Sequence, residues 1–343
     1  MKSFASDNYS GVHPVILEAI NNANTLHEIS YGNDTITARA NKLFAEIFGP
    51  VKVLYTFNGT GANVIALKCC TLPFEAVVCA STAHIHVDEC GAPVQAIGCS
   101  LIPLQTPDGK LTPGLVKPVL KSLGNVHNNQ PRVISISQST ELGTVYSLAE
   151  LRALSDFAHT HGMFLHIDGA RIANAVAALN TNLKAATVDC GVDIMSFGGT
   201  KNGLMLGEAI LIFNEELKKH ADFYQKQSAQ LFSKNRFIAV QFAALLNNEL
   251  WRTMAKHSNN MAQLLATESS KLPDVCIVRP VDANAVFAII PEKAIAPLQK
   301  LYPFYIWDEK TLELRWMCSF DTQPEDVFGF IDSLKHIIDQ VRI

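Results

Sequence analysis

The residues best placed to do chemistry in this chain stand at the ends of two apolar runs. Met163-Phe164-Leu165-His166-Ile167-Asp168-Gly169-Ala170-Arg171 reads as a buried strand ending on a carboxylate. Residues 192–197, broken only by Asp193, read as a second strand, after which Gly198-Gly199-Thr200 turn the backbone sharply to Lys201. A lysine amine and an aspartate at neighbouring strand ends are the pair that pyridoxal 5'-phosphate chemistry uses. The amine condenses with the aldehyde, and the carboxylate pairs with the pyridinium nitrogen. Taken alone, Lys201 also fits an ordinary turn lysine, and Asp168 a structural partner of Arg171.

Further candidates follow the same logic. Asn58-Gly59-Thr60-Gly61-Ala62-Asn63 turns a strand over 51–57 into a helix. The free N–H groups and positive dipole end of such a helix make a phosphate seat. No Gly-Lys-Ser/Thr follows, and the full Gly-x-Gly-x-x-Gly spacing is missing, so neither a P-loop nor a dinucleotide fingerprint is present. His84-Ile85-His86-Val87-Asp88-Glu89 is a turn rich in histidine and acid, and His127 lies in the polar loop 124–129. Arg315 sits among Leu312, Leu314 and Trp316. A bare charge there is costly, so its guanidinium fork awaits a carboxylate, either a substrate's or a structural partner's.

The elements that must position these residues alternate along the chain. Strands are expected over 51–57, 76–80, 132–137, 163–168, 192–197 and 208–213, with a short apolar stretch at 102–104. Helices are expected between them, including 115–123, 173–179 and 183–188, and one that begins at the capping box Ser147-Leu148-Ala149-Glu150. Thr35 is the expected cap of a helix running to Gly49-Pro50. This alternation implies an α/β fold with a mostly parallel, doubly covered sheet. After residue 214 helical segments dominate, then shorter strands, then a last helix from the capping box Thr322-Gln323-Pro324-Glu325. The expected organisation is an extended arm over 1–14, a large domain over 15–245 and a smaller C-terminal α/β domain over 246–343.

Composition narrows the class. The 343 residues are 48% apolar and 17% charged, with a net charge of −4 and no basic block, which argues against nucleic acid as a partner. Eight cysteines show no metal-ligand spacing, so they are expected to be reduced core thiols, and no metal site is expected. The segment Met1 to Asn8 has no apolar signal region, and no apolar run approaches the roughly 20 residues of a membrane-spanning helix. The expectation is a cytoplasmic protein that contacts no membrane.

The ordered set of motifs resembles the low-specificity threonine aldolases. These belong to the β-eliminating-lyase branch of pyridoxal-phosphate enzymes with the aspartate-aminotransferase-like (type I) fold. Ser6-Asp7, Tyr31-Gly32-Asn33-Asp34, the Gly59 turn, Ala83-His84 and His166-Ile167-Asp168-Gly169-Ala170-Arg171 match family motifs in order along the chain. Lys201 matches the family's Schiff-base lysine, and Lys226 and Arg315 match carboxylate ligands. The chain departs from the family at Gly-Thr-Lys-Asn-Gly around the lysine, at Ser137-Gln138-Ser139-Thr140-Glu141 after the middle strand, and at Ser319, which marks a divergent subfamily.

The resemblance implies cleavage of Cα–Cβ in L-threonine, L-allo-threonine or a related β-hydroxy-α-amino acid, giving glycine and an aldehyde. Lys201, Asp168, His84, Arg171 and the turn Gly59, Thr60 and Gly61 would bind the cofactor. Arg315, Arg171, Lys226, Ser6 and Tyr31 would bind the substrate, and His84 or His127 would be the base. It also implies a homodimer or homotetramer with sites at the subunit interface. The alternative is another type I pyridoxal-phosphate enzyme acting on an amino acid: a β-eliminating lyase, a racemase or an aminotransferase.

Overall fold

The computed structural model describes residues 2–341. Seven strands form the main sheet: β1 (Lys52–Thr56), β2 (Glu75–Ala80), β3 (Ser100–Leu104), β4 (Gln130–Ser137), β5 (Phe164–Gly169), β6 (Ile194–Gly198) and β7 (Glu208–Ile212). Their order is β1-β7-β6-β5-β4-β2-β3, and β7 alone runs antiparallel to its neighbours. Strands β5, β6 and β7 are buried along their whole length, which is why they appear in the sequence as apolar runs without alternation.

This topology makes the site. Strands β1, β2, β4, β5 and β6 all end at one edge of the sheet, where β7 begins. Ser137, Asp168 and Ser196 pair in register across β4, β5 and β6, and Thr56, Glu208 and Gly198 pair across β1, β7 and β6. Crevices outside the carboxyl ends of parallel strands are where such sheets bind ligands.

Helices cover both faces. One core gathers Phe44, Phe197 and Phe242, with Phe44 and Phe197 edge to face at 5.8 Å, and the other is built on Ile65, Leu67 and Ile210. A second sheet, β8 (Cys276–Ile277), β9 (Ala285–Ile289), β10 (Tyr305–Asp308) and β11 (Glu313–Met317), is antiparallel in the order β10-β11-β9-β8. Its core holds Trp316 and Phe330 at 5.0 Å. The helix Leu250–Ser269 serves both cores, through Trp251 and Met254 at its start and Ala262 and Leu265 further along.

Several local expectations are corrected. The N-terminal segment, with one 3-10 turn at Asp7–Tyr9, is docked: Phe4 is fully buried against Tyr302 and Phe330, and its backbone bonds Pro303 and Met317. Asp34, not Thr35, caps the helix Thr35–Phe48, accepting the Thr37 N–H at 2.6 Å. The span 183–188 forms turns and a 3-10 turn at Val188–Cys190, a stretch too short to repay helix nucleation. The span 115–123 becomes a single helical turn, Pro113–Val116, and a 3-10 run, Lys117–Ser122, with Pro118 lacking the N–H a longer helix needs. At the last helix, Pro324–Val341, Asp326 rather than Glu325 reaches back to the Gln323 N–H. The capping box at Ser147 and Glu150 forms as expected. Of the eight cysteines, all free, Cys90 and Cys276 are exposed rather than in a core.

Candidate active site

A cavity of about 250 Å³ opens at the strand-end edge, lined by Gly59, Thr60, His84, Asp168, Lys201 and Glu208 among others. Lys201 is delivered by the turn after β6, which only glycine can make here. A Cβ at Gly198 would collide with the Ala170 carbonyl, and one at Gly199 would lie 2.5 Å from the Gly207 oxygen. Burial, reinforced by the charge of Arg171, holds the Lys201 pKa below the usual lysine value. That keeps more of the amine neutral and nucleophilic.

Asp168, at the end of β5, accepts the Asn63 side-chain N–H on Oδ2 at 2.8 Å and the Ala170 N–H on Oδ1 at 3.0 Å. Asn63 also donates to Glu89 at 2.8 Å, and the same Glu89 oxygen binds His84 Nδ1 at 2.8 Å. His84, Glu89, Asn63 and Asp168 therefore form one continuous network. The bond to Glu89 raises the His84 pKa against the opposing effect of burial. Ligand atoms of His84, Glu89 and Asp168 lie within 4.8 Å of one another; one Glu89 oxygen bonds both His84 and Asn63, and the other has no partner.

The helix Gly59–Cys70 points its N-terminus at the cavity. Its third N–H is taken, because the Asn58 side chain accepts from Gly61 at 2.8 Å. Gly59 and Thr60 keep N–H groups free for an anion, whereas the N–H of Gly61, expected to join them, is spent on Asn58. Gly61 is glycine for packing: a Cβ there would lie 2.5 Å from the Gln230 side chain, whereas one at Gly59 would meet nothing. The residues fit pyridoxal phosphate. A helix end whose first two N–H groups are free, a neutral-leaning amine and an aspartate share one cavity, and the buried Ser196 Oγ on its wall has no hydrogen-bond partner.

Arg171 lines an adjoining recess with His84, Asp168 and Lys201, and Arg315 is close enough to feel its charge. Arg171 gives Nε and Nη2 to both carboxylate oxygens of Asp7 at 2.7 and 2.8 Å, so most of its fork is committed. Arg315 has no carboxylate partner among the described residues, and its buried Nε bonds nothing. It stacks over Trp307 at 4.7 Å and Tyr305 at 5.4 Å, and burial, with Arg171 nearby, lowers its pKa to about 10. The structural ion pair that the sequence left open at Arg315 does not form.

Four expected residues do not reach this cavity in their own chain. His127 is exposed in the loop before β4, at the opposite end of that eight-residue strand, about 26 Å away at the usual rise. Tyr31 and Lys226 are exposed and stack on each other at 5.1 Å, with Tyr31 beside a separate cavity of about 680 Å³. Ser6 caps a 3-10 turn, accepting the Asn8 N–H at 3.2 Å, and faces a different recess. The arm residues that do reach the site are Asn8 on the cavity wall and Asp7 behind it.

Sequence reasoning gave no site role to Asp7, Asn8, Asn63, Glu141, Ser196 or Glu208, although Asp7, Asn63 and Glu141 stand within the motifs it quoted. Glu141 accepts the Ser137 hydroxyl at 2.6 Å and the His84 backbone N–H at 2.9 Å, and burial raises its pKa. The signal available for Glu208 was an acid opening an apolar run.

Known proteins share both sequence and fold with this chain. The family described as beta-eliminating lyase matches residues 3–293. The chain is 42% identical over 329 residues to the low specificity L-threonine aldolase of Pseudomonas aeruginosa, covering 95% of each. To that of Saccharomyces cerevisiae it is 27% identical over 286 residues, covering 82% of this chain and 72% of the other. The solved threonine aldolase of Leishmania major superposes with a TM-score of 0.93 at 31% identity, covering 98% of this chain and 100% of that one.

Proposed function

Since the chain belongs to the beta-eliminating lyase family and is a carbon–carbon lyase of the threonine-aldolase type, we propose that it cleaves β-hydroxy-α-amino acids to glycine and an aldehyde. L-threonine and L-allo-threonine are the reference substrates, and pyridoxal 5'-phosphate bound in the Lys201 cavity is the cofactor. One observation carries this: Lys201, Asp168 and the open helix end at Gly59 and Thr60 share a single cavity.

When bound, the cofactor supplies an electron sink for the pair released at Cα. Lys201 attaches it through its amine, which burial biases towards the neutral form. Asp168, fixed by Asn63 and Ala170, would hold the ring nitrogen. Gly59 and Thr60 would hold the phosphate through N–H groups at the positive end of the helix. Arg315 would clamp the substrate carboxylate and so fix which bond at Cα is placed to break. His84 is the base candidate in this cavity. With Nδ1 tied to Glu89, its Nε2 is the atom to take the β-hydroxyl proton.

Assembly and location belong to the same proposal. Tyr31, Lys226 and His127 lie exposed away from the cavity of their own chain, which supports a dimer or tetramer in which they border a neighbour's site. Among the described residues no helix is long and apolar enough to cross a membrane, and we place the enzyme in the cytoplasm.

The test is an absorbance spectrum before and after glycine, with Lys201→Ala beside it, followed by aldehyde trapping across β-hydroxy amino acids. A visible band that needs Lys201, a new long-wavelength band with glycine, and trapped acetaldehyde from threonine are expected. Ammonia and a keto acid without aldehyde would overturn the aldolase reading. No band after reconstitution would overturn the cofactor.

A further inference from the structure

Glu208 has no part in the steps above, yet it lies on the cavity wall. It opens β7 with a carboxylate, is only 8% exposed, and pairs in register with Thr56 on one side and Gly198 on the other. Thr56 is three residues before Gly59, and Gly198 is three residues before Lys201. The strand register therefore sets Glu208 between the phosphate seat and the lysine. One of its oxygens accepts the Gly199 N–H at 2.6 Å, and the Thr200 hydroxyl supports it as well.

The charges around it are few. Lys201 favours its ionised form and Asp168 opposes it. His84 lines the same cavity, while β1, β6 and the Gly59 helix present Thr56, Phe57, Asn58, Gly198 and Thr60, none of which titrates. Arg171 lines the adjoining recess, which shares Gly59, His84, Asp168 and Lys201 with this cavity, but two arms of its fork are committed to Asp7. A phosphate monoester seated on Gly59 and Thr60 brings about −1.5 to −2 charges. An ionised Glu208 beside it, itself buried, would repel it.

We propose that Glu208 takes up a proton from solvent as the cofactor's phosphate binds, so that this binding is proton-coupled and weakens as pH rises above neutrality. The proposal rests on the reading of this cavity as the phosphate seat. Protonation turns the carboxyl from an acceptor into a donor, with an O–H to offer a phosphate oxygen. The proton is available near neutral pH because burial already pushes Glu208 up to about 7.

The test uses the full chain freed of cofactor and titrated calorimetrically with pyridoxine 5'-phosphate. This probe has the ring and the phosphate but no aldehyde, so attachment to Lys201 does not contribute. Runs in two buffers of different ionisation heat count the protons taken up. At pH 8 to 8.5 the wild type should take up close to one proton more than Glu208→Gln. Between pH 7 and 9 its affinity should fall up to about tenfold per unit relative to that variant. Equal proton counts and parallel pH profiles would overturn the proposal while leaving the cofactor reading intact. Absence of binding at every pH would overturn both. Should Glu208→Gln fail to fold, infrared spectroscopy of the wild type decides instead: a protonated-carboxyl band must grow on adding the probe, and its absence refutes the coupling.

Discussion

Arg315 is the cation in this molecule with most to gain from an anion. Its fork is planar and held by two aromatic rings, while its Nε is buried without a partner. A lysine would keep the charge but lose the bidentate geometry and the stacking. Arg315→Lys should therefore raise KM about 10- to 100-fold, the loss expected for one charge-assisted bond of about 1.5–3 kcal/mol. Steady-state kinetics with threonine checks this, and an unchanged KM would remove Arg315 from the carboxylate site. Arg171 differs in kind: its fork already holds Asp7, so its charge reaches the site through the field it exerts on Lys201 and Arg315.

At the scale of elements, the N-terminal segment is a strap across the two halves of the molecule. Phe4 anchors in the core of the second sheet, and Asp7, 1% exposed, reaches Arg171 behind the first. Burial alone would raise the Asp7 pKa, but the charge and hydrogen bonds of Arg171 outweigh it and hold it below the ordinary 3.8. A depressed carboxylate stabilises the fold fully above its ordinary pKa, and that contribution is lost as pH falls through the lowered value. Asp7→Asn leaves Arg171 buried without its counter-charge and should cost about 3 kcal/mol at pH 7. It should also free residues 2–13 for proteolysis. Denaturant unfolding at pH 7 and below pH 3 checks both signs, since the difference between variant and wild type should shrink in acid. A pH-independent difference would show that the ion pair is not the source.

At the scale of the whole molecule, the exposed residues raise the question of assembly. Leu26, Ile29 and Tyr31 are 90%, 69% and 48% exposed, close together in sequence and next to the 680 Å³ cavity that Tyr31 lines. An apolar stretch of this kind beside functional side chains fits a subunit contact. Light scattering should give at least twice the chain mass, and Ile29→Asp should shift it towards monomer with loss of turnover. A fully active monomer would refute sites shared between subunits.

The sequence by itself determined the chemistry and the order of its parts. Doubly buried parallel strands leave unbroken apolar runs, so β5 and β6, and the Asp168 and Lys201 that follow from their ends, were legible. The sharp turn at Gly198 and Gly199 was legible as well, whereas the Ala170 and Gly207 backbones that leave no room for a Cβ there appear only in the fold. Only the tertiary structure decided which of the remaining polar residues meet. Register across β1, β7 and β6 brings Glu208 to the cavity of Gly59 and Lys201 from a position that looked like any strand start. The Asn58 cap takes up the Gly61 N–H, although all three turn residues look equivalent in the sequence. Strand direction sends His127 to the far edge of the sheet, and the docking of Phe4 brings in Asp7 from 164 residues away. Local patterns record burial and backbone constraint because these act on neighbours in sequence; contacts between distant segments depend on register and packing, which no single segment carries.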